Sequence, residues 1–146
     1  SSAASDVYKR QRYGYELWDV IFEKEGAMWY LKVLFDKADG GIDDAECEEI
    51  TEPLNKAVDT LPCIDLVDVF EVGSPGLDRQ LRKPFHFVKM KGERIKVTVR
   101  DENGKTAYYA GVLADYDENS GEFTLQTDDG DMRFNAAKCR RIALDA

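Results

Sequence analysis

Alternation of apolar and polar residues dominates two neighbouring segments early in the chain, residues 15–24 and 28–37. Side chains of a strand point alternately to its two faces, so each segment is predicted to be a strand with one apolar face. The turn between them contains glycine and predicts a hairpin. The first strand is expected to place Leu17 and Ile21 on the face opposite to Trp18, Val20 and Phe22. The apolar residues of the second strand are Trp29, Leu31, Val33 and Phe35.

A helical period follows this hairpin. Asp43 is a predicted N-cap, and Glu46, three residues later, would complete a capping box. Pro53 is expected to kink the helix, because it removes a backbone hydrogen bond. A third strand is predicted at residues 66–73, so the order strand, strand, helix, strand indicates a three-stranded α/β sandwich. The stripe of apolar residues at spacings of three and four is Cys47, Ile50, Leu54, Val58 and Leu61.

The second half of the chain returns to short alternating segments. Pro84 is expected to open a short helix that Gly92 ends. Asn103-Gly104 is the strongest short hairpin signal in the sequence. Five short strands at this spacing predict a small β-barrel. The expected class is therefore α+β, with a disordered leader at residues 1–12, a first domain at 13–83 and a second at 84–146.

Charge changes this picture, because its sign is segregated along the chain. The formal net charge is −9, which argues against broad, non-specific binding of nucleic acid. Residues 36–52 nevertheless carry eight acids and one lysine, and residues 79–91 carry five basic residues and no acid. This polarity predicts two contact faces of opposite sign. Two solvated surface faces remain the alternative.

Several function classes find little support in the residues. The three cysteines are far apart, which fits neither a disulfide framework nor a zinc site and favours a reducing cytoplasm. No apolar run approaches the ~20 residues that span a bilayer. Asp39, Asp43 and Asp44 would repel phosphate from the Gly40-Gly41 turn. We expect no metal, no cofactor and no membrane association.

Ser74 is the obvious candidate for a nucleophile. The sequence around it, Gly-Ser-Pro-Gly, lacks the spacing of a nucleophile elbow. His86, the one histidine, is expected to be a packed or surface residue rather than a base. Pro75-Gly76 instead predicts a turn. The chain is therefore not expected to be an enzyme.

Four segments together resemble the bacterial ribosome maturation factor RimP family: GYELWDV, FDKADGGIDDAEC, FEVGSPGLDRQL and PFHFVKMKG. The resemblance implies an N-terminal α/β lobe followed by a C-terminal Sm-like, SH3-type barrel. It also implies a cytoplasmic, non-enzymatic factor that binds the immature small (30S) ribosomal subunit and assists its late assembly. The chain departs from the family pattern at Gly73, where serine is usual, and at Pro53. The family also has an amphipathic helix before Gly14, which SSAASDVYKRQR is too polar to supply, so an exposed apolar patch is expected.

The resemblance implies a binding partner for each of the two charged segments. The acidic segment would steer toward a basic ribosomal protein near the decoding centre, and the basic segment would touch ribosomal RNA. The factor is expected to be monomeric. The alternative is a general RNA-binding protein of the Sm type that assembles into rings. Candidates for ribosome or RNA contact are Ser74, Asp78, Arg79, Arg82, Lys83, Lys89 and Lys91; candidates for ribosomal-protein contact are Asp43, Asp44, Glu46, Glu48 and Glu49.

Overall fold

The computed structural model describes residues 15–37, 45, 54–55, 58–62, 64–76 and 79–146. The chain divides into two compact units, Ser1–Gly76 (unit 1) and Leu77–Ala146 (unit 2). This division falls earlier than the expected boundary after Lys83, because residues 79–81 pair with a strand of unit 2. The content of helix and sheet is compatible with the expected α+β class. The expected leader and the helix before Gly14 fall outside the described residues.

Unit 1 contains a three-stranded sheet in the order β1-β2-β3, with β1 at Tyr15–Glu25, β2 at Met28–Lys37 and β3 at Val69–Gly73. Strands β1 and β2 form the predicted antiparallel hairpin, and Gly26 takes a φ of +62° in its turn. Strand β3 runs parallel to β2, which requires a crossover connection. Within that crossover, Leu54 is helical and buried against Val33 and Phe35. Leu54 therefore covers part of the apolar face of the sheet. Both residues of the predicted capping box, Asp43 and Glu46, and the predicted kink at Pro53 lie outside the described residues.

A β-bulge at Trp18 corrects the predicted faces of β1. Leu17 pairs with Phe35, but Asp19 pairs with Leu34, so Trp18 is the extra residue. One extra residue reverses the alternation, since the side-chain period of a strand is two. Leu17 consequently lies on the face of Val20, and the grouping of Leu17 with Ile21 was wrong. Trp18 and Asp19 are both only 1% exposed.

The start of β3 also differs from the prediction. Residues Ile64–Leu66 form a 3-10 turn, and Leu66 is 60% exposed instead of lying on an apolar strand face. Asp68 sets the actual start of pairing. Its backbone N–H donates to the carbonyl of Trp29 at 2.9 Å, and its Oδ2 accepts the Trp29 N–H at 2.8 Å. Pairing with β2 therefore begins at Val69, directly after these two hydrogen bonds.

Unit 2 begins with segment 79–83 and helix α1 at Pro84–Met90, which Pro84 and Gly92 delimit as predicted. Its five antiparallel strands have the order β7-β6-β5-β4-β8. Helix α1 packs on this sheet through Phe87, whose ring stacks on Tyr116 with centroids 4.4 Å apart. Strands β7 and β8 are the sheet edges in this order, and the barrel remains a prediction. The strands are β4 Arg94–Arg100, β5 Thr106–Asp117, β6 Glu122–Thr127, β7 Gly130–Asn135 and β8 Arg141–Leu144.

The core of unit 2 follows the alternation read from the sequence. Ile95 and Val97 of β4, Leu113 of β5 and Leu125 of β6 are fully buried on one face. The residues between them on β4, such as Lys96, are exposed on the opposite face. The Asn103-Gly104 hairpin forms as predicted, with Gly104 at a φ of +79°. Burying one face of an antiparallel sheet in this way leaves the other available to partners.

Candidate nucleic-acid interface

The predicted basic segment joins the edge of the sheet in unit 2. The Leu81 N–H donates to the carbonyl of Ile142 at 2.8 Å, and the Leu144 N–H donates to the carbonyl of Arg79 at the same distance. Gln80 pairs with Ala143 between these bonds. Segment 79–81 thereby continues the sheet beyond β8. The pairing brings the predicted Arg79 and Arg82 next to a strand that begins with another arginine, Arg141.

His86 fixes the geometry of the segment that precedes α1. The ring is fully buried, and its Nδ1 accepts the backbone N–H groups of Arg82 at 2.8 Å and Lys83 at 2.9 Å. An Nδ1 that accepts two hydrogen bonds carries no proton, so the imidazole is neutral with its proton on Nε2. The prediction of a packed histidine is confirmed. Its function here is to satisfy N–H groups that the start of a helix leaves without partners.

A groove of about 440 Å³ lies beside this segment, and we call it the arginine groove. Three arginines from two parts of the sequence line it: Arg82 from the predicted basic segment, and Arg140 and Arg141 from the start of β8. Guanidinium groups bind phosphate with paired hydrogen bonds, so this composition suits a nucleic-acid backbone. The remaining lining residues are Gln80, Leu81, Phe87, Gly121, Ala136, Ala137, Cys139 and Ile142.

Cys139, in the same groove, is not an activated nucleophile. Burial raises the pKa of its thiol to about 11, so the group stays protonated at neutral pH. Its Sγ donates to the carbonyl of Asn135 at 3.4 Å. The groove therefore combines fixed positive charges with a neutral thiol, an arrangement for binding an anion rather than for covalent chemistry.

Sequence reasoning missed three basic residues on this side of unit 2: Lys138, Arg140 and Arg141. The signal was present as the run Lys-Cys-Arg-Arg at residues 138–141. That run lies far from residues 79–83 in sequence. Only the pairing of segment 79–81 with β8 brings the two together.

Lys89 and Lys91, two further predicted contacts, lie away from the start of α1. Both are exposed near its C-terminal end, whereas Lys83 caps its N-terminal end. A rise of 1.5 Å per residue separates Lys83 from Lys91 by about 12 Å. The structure therefore places the predicted cations in two groups, one beside the arginine groove and one at the far end of the helix.

Ser74 lies in the predicted turn after β3. Its Oγ accepts the N–H of Gly76 at 3.2 Å, and Gly76 takes a φ of +69°. The hydroxyl thus braces a turn that needs glycine, in the manner of a serine turn. Asp78 and the five acidic candidates between Asp43 and Glu49 lie outside the described residues.

The sequence of unit 1 decides the family. Residues 9–78 match the family model of the RimP N-terminal domain. This stretch of the chain belongs to the RimP family. This family implies a general role in ribosome maturation, which agrees with the resemblance found in the sequence. The match to RimP ends at residue 78, so it covers most of unit 1 and stops before the arginine groove.

Unit 1, which carries the RimP N-terminal domain, and unit 2 differ strongly in charge. Residues 1–76 hold 7 Lys and Arg against 17 Asp and Glu, a net charge of −10, whereas residues 77–146 hold 13 against 12, a net charge of +1. The sheet of unit 1 displays part of this acidity. Lys32 lies between Glu25, at 2.6 Å, and Glu23, at 3.2 Å, and the hydrogen bond that its ammonium group donates to Glu25 raises the pKa of the lysine. The acidic excess of the chain therefore belongs to the domain that defines the family.

Two further features concern ligands and membranes. Among the residues that the structure describes, no group of three His, Cys, Asp or Glu side chains is arranged to hold a metal ion. The same part of the chain contains no helix with the length and apolar character needed to cross a bilayer.

Proposed function

We propose that this RimP-family chain is a cytoplasmic ribosome maturation factor that binds the immature small (30S) ribosomal subunit as a monomer and assists its late assembly. The observation that carries the proposal is the match of residues 9–78 to the RimP N-terminal domain. The cationic side of unit 2 supports it, since binding to a ribonucleoprotein requires contacts to phosphate. We further propose that unit 2 is an Sm-like, SH3-type barrel and that the protein has no catalytic activity.

The charge difference between the units supports a division of labour. The net charge of unit 1, −10, suits the basic surface of a ribosomal protein near the decoding centre. The proposed contacts are Asp43, Asp44, Glu46, Glu48 and Glu49. Unit 2 would contact ribosomal RNA through Arg79, Arg82 and Lys83. Complementary charges of this kind mainly increase the association rate and suppress wrong partners.

Cosedimentation with purified small subunits tests the proposal. Reversing Asp43, Asp44, Glu48 and Glu49 to lysine is expected to weaken binding to small subunits, most clearly at low salt. The matched control reverses four exposed acids of unit 2, Asp115, Asp117, Asp128 and Asp129, and makes the same change in net charge. Equal binding of wild type and both variants would contradict the proposed acidic contact. Failure of the wild type to bind small subunits would contradict the function itself.

The alternative of a general RNA-binding protein of the Sm type predicts a different assembly. Such a protein would form rings and hold free RNA more tightly than small subunits. Light scattering of the purified chain separates the two, because a monomer excludes a ring. In a second experiment, small subunits and bulk RNA compete for the protein. The Sm-type alternative predicts that bulk RNA binds more tightly, and the proposed function predicts that small subunits do.

A further inference from the structure

A second groove, of about 510 Å³, lies on the outer face of β4, β5 and β8, opposite to the buried core of unit 2. We call it the tyrosine groove, because Tyr108 stands in it with 76% of its surface exposed. Its other lining residues are Lys96, Thr98, Tyr109, Ala110 and Arg141.

Strand register builds this groove from three strands. One row across the sheet is Arg141, Thr98 and Tyr108, each paired with the next. The adjacent row has alanine on either side of Lys96. Small side chains between long ones leave a depression, and that depression is the groove. Arg141 and Tyr108 are separated by one intervening strand, about 9.5 Å between their backbones.

The ring of Tyr108 contrasts with that of its neighbour. Tyr109 points to the opposite face and packs against Phe134, with ring centroids 5.4 Å apart. Single exposed aromatic residues are common on protein surfaces, so the exposure of Tyr108 alone would indicate nothing. The cations that line the same depression provide the second observation.

Three cations lie on the outer face near Tyr108. Lys96 and Arg141 line the groove, and Arg100 is exposed on the same face of β4. Asp101, in the adjoining turn, uses its Oδ1 to accept the backbone N–H groups of Asn103 and Lys105. A groove lined by Lys96 and Arg141 is complementary to a polyanion and would repel a basic protein.

Arg141 lines both the tyrosine groove and the arginine groove. The two depressions therefore adjoin at this one residue on the surface of unit 2. A chain of phosphates could follow that surface past Lys96 to Arg82 and Arg140. An aromatic ring beside such a path supplies a stacking partner for a base.

We propose that the tyrosine groove binds single-stranded RNA, with a base stacked on Tyr108 and neighbouring phosphates at Lys96 and Arg141. A duplex keeps its bases stacked inside, so only an unpaired segment offers a base to the ring. The contact covers one or two nucleotides, so its affinity for free RNA is weak. The inference deepens the proposed function by naming unpaired RNA as the ligand of unit 2, and it rests on that function for its biological setting.

Fluorescence anisotropy with a labelled 10-nucleotide single strand of mixed sequence, at low salt, tests the inference directly. Tyr108→Ala is expected to weaken binding about 5- to 150-fold, the range measured for loss of base–aromatic stacking. Tyr108→Phe keeps the ring and is expected to bind within about twofold of wild type. Because Tyr108 is exposed, these changes leave the core intact, which a thermal melt of each variant verifies.

A matched pair of charge variants tests the phosphate contact. Lys96→Ala is expected to lower the slope of log K against log salt by about 0.7, the value for one phosphate contact with a single strand. The control is Arg133→Ala on β7, at the other edge of the sheet, whose side chain is 77% exposed and lies 4.0 Å from Glu122. This control removes the same charge and is expected to leave the slope unchanged.

Three outcomes would overturn the inference: no measurable binding of the strand by the wild type, equal binding by wild type and Tyr108→Ala, or equal effects of Lys96→Ala and Arg133→Ala. Cosedimentation of the same variants with small subunits separates this result from the proposed function. If Tyr108→Ala weakens cosedimentation but leaves RNA binding intact, the face binds protein and the RNA inference is wrong. If the single strand binds through Tyr108 while the wild type ignores small subunits, the inference holds and the proposed function fails.

Discussion

The buried imidazole of His86 accepts the backbone N–H of Arg82 at 2.8 Å, and this bond holds the start of α1 against the strand edge that builds the arginine groove. Lys83 donates its N–H to the same nitrogen. One side chain thus satisfies two backbone donors and orients the residue that contributes the first arginine of the groove. A substitution at His86 is therefore expected to affect both the stability of unit 2 and the position of Arg82.

His86→Ala is expected to destabilise unit 2 by about 2–3 kcal/mol, because it leaves backbone donors without an acceptor and opens a cavity. His86→Asn retains a short side-chain acceptor at the same helix position and is expected to lose less. Urea unfolding followed by far-UV circular dichroism measures the difference. Equal stability of wild type and His86→Ala would show that water replaces the imidazole without cost.

Gly111→Ala is expected to destabilise the sheet of unit 2 by about 2 kcal/mol or more. A Cβ at Gly111 would lie 2.3 Å from the carbonyl oxygen of Gln126 on β6, so the strands must separate. Gly73→Ala provides the control, since a Cβ there meets nothing within 4 Å and no positive φ is required. That variant is expected to stay within about 0.5 kcal/mol of wild type.

Gly73→Ser, which restores the serine usual in the family, is likewise expected to be tolerated. Tryptophan fluorescence reports unit 1 selectively, because both tryptophans, Trp18 and Trp29, belong to it. If either substitution at Gly73 changes the unfolding midpoint measured by tryptophan fluorescence, the result contradicts the open space around this residue. An unchanged melt of Gly111→Ala would contradict the close approach of β5 and β6.

Cys139 is expected to resist alkylation near pH 8. Burial raises the pKa of its thiol from 9.0 to about 11, so the thiolate fraction falls about 100-fold relative to the unfolded chain. The folded protein holds the thiol proton more tightly than the unfolded chain does. The contribution of this group to stability is therefore fully present below pH 9 and is lost as the pH rises to 11. Labelling with iodoacetamide, in buffer and in urea, followed by peptide mass spectrometry, measures the two rates. Equal rates would show that the thiol is not buried in solution.

Arg140→Ala is expected to weaken binding to small subunits and to lower its salt dependence, because it removes one cation from the arginine groove. Lys105→Ala, in the exposed turn after Asn103-Gly104, removes the same charge away from the groove and serves as the control. Cosedimentation at a series of salt concentrations compares the two. Identical curves for both variants would exclude the arginine groove as a contact surface.

Local signals predicted most of the strand bounds. Alternation gave β2 its bounds at Met28–Lys37, and Pro84 with Gly92 gave α1. These elements depend on residues close in sequence, where period and turn chemistry act directly. The bulge at Trp18 and the 3-10 turn at Ile64–Leu66 were missed, because pairing with β2 decides both.

The sequence by itself determined the alternating strands, the short helix between Pro84 and Gly92, the segregation of charge and the residues that carry the family resemblance. Tertiary structure alone decided which cations meet. Arg82 and Arg140 are 58 positions apart, and they line one groove because segment 79–81 pairs with β8. Tyr108 and Arg141 face one depression because β4 lies between their strands. Strand order is set by burial of the whole apolar face, a property of the assembled sheet that no local pattern contains.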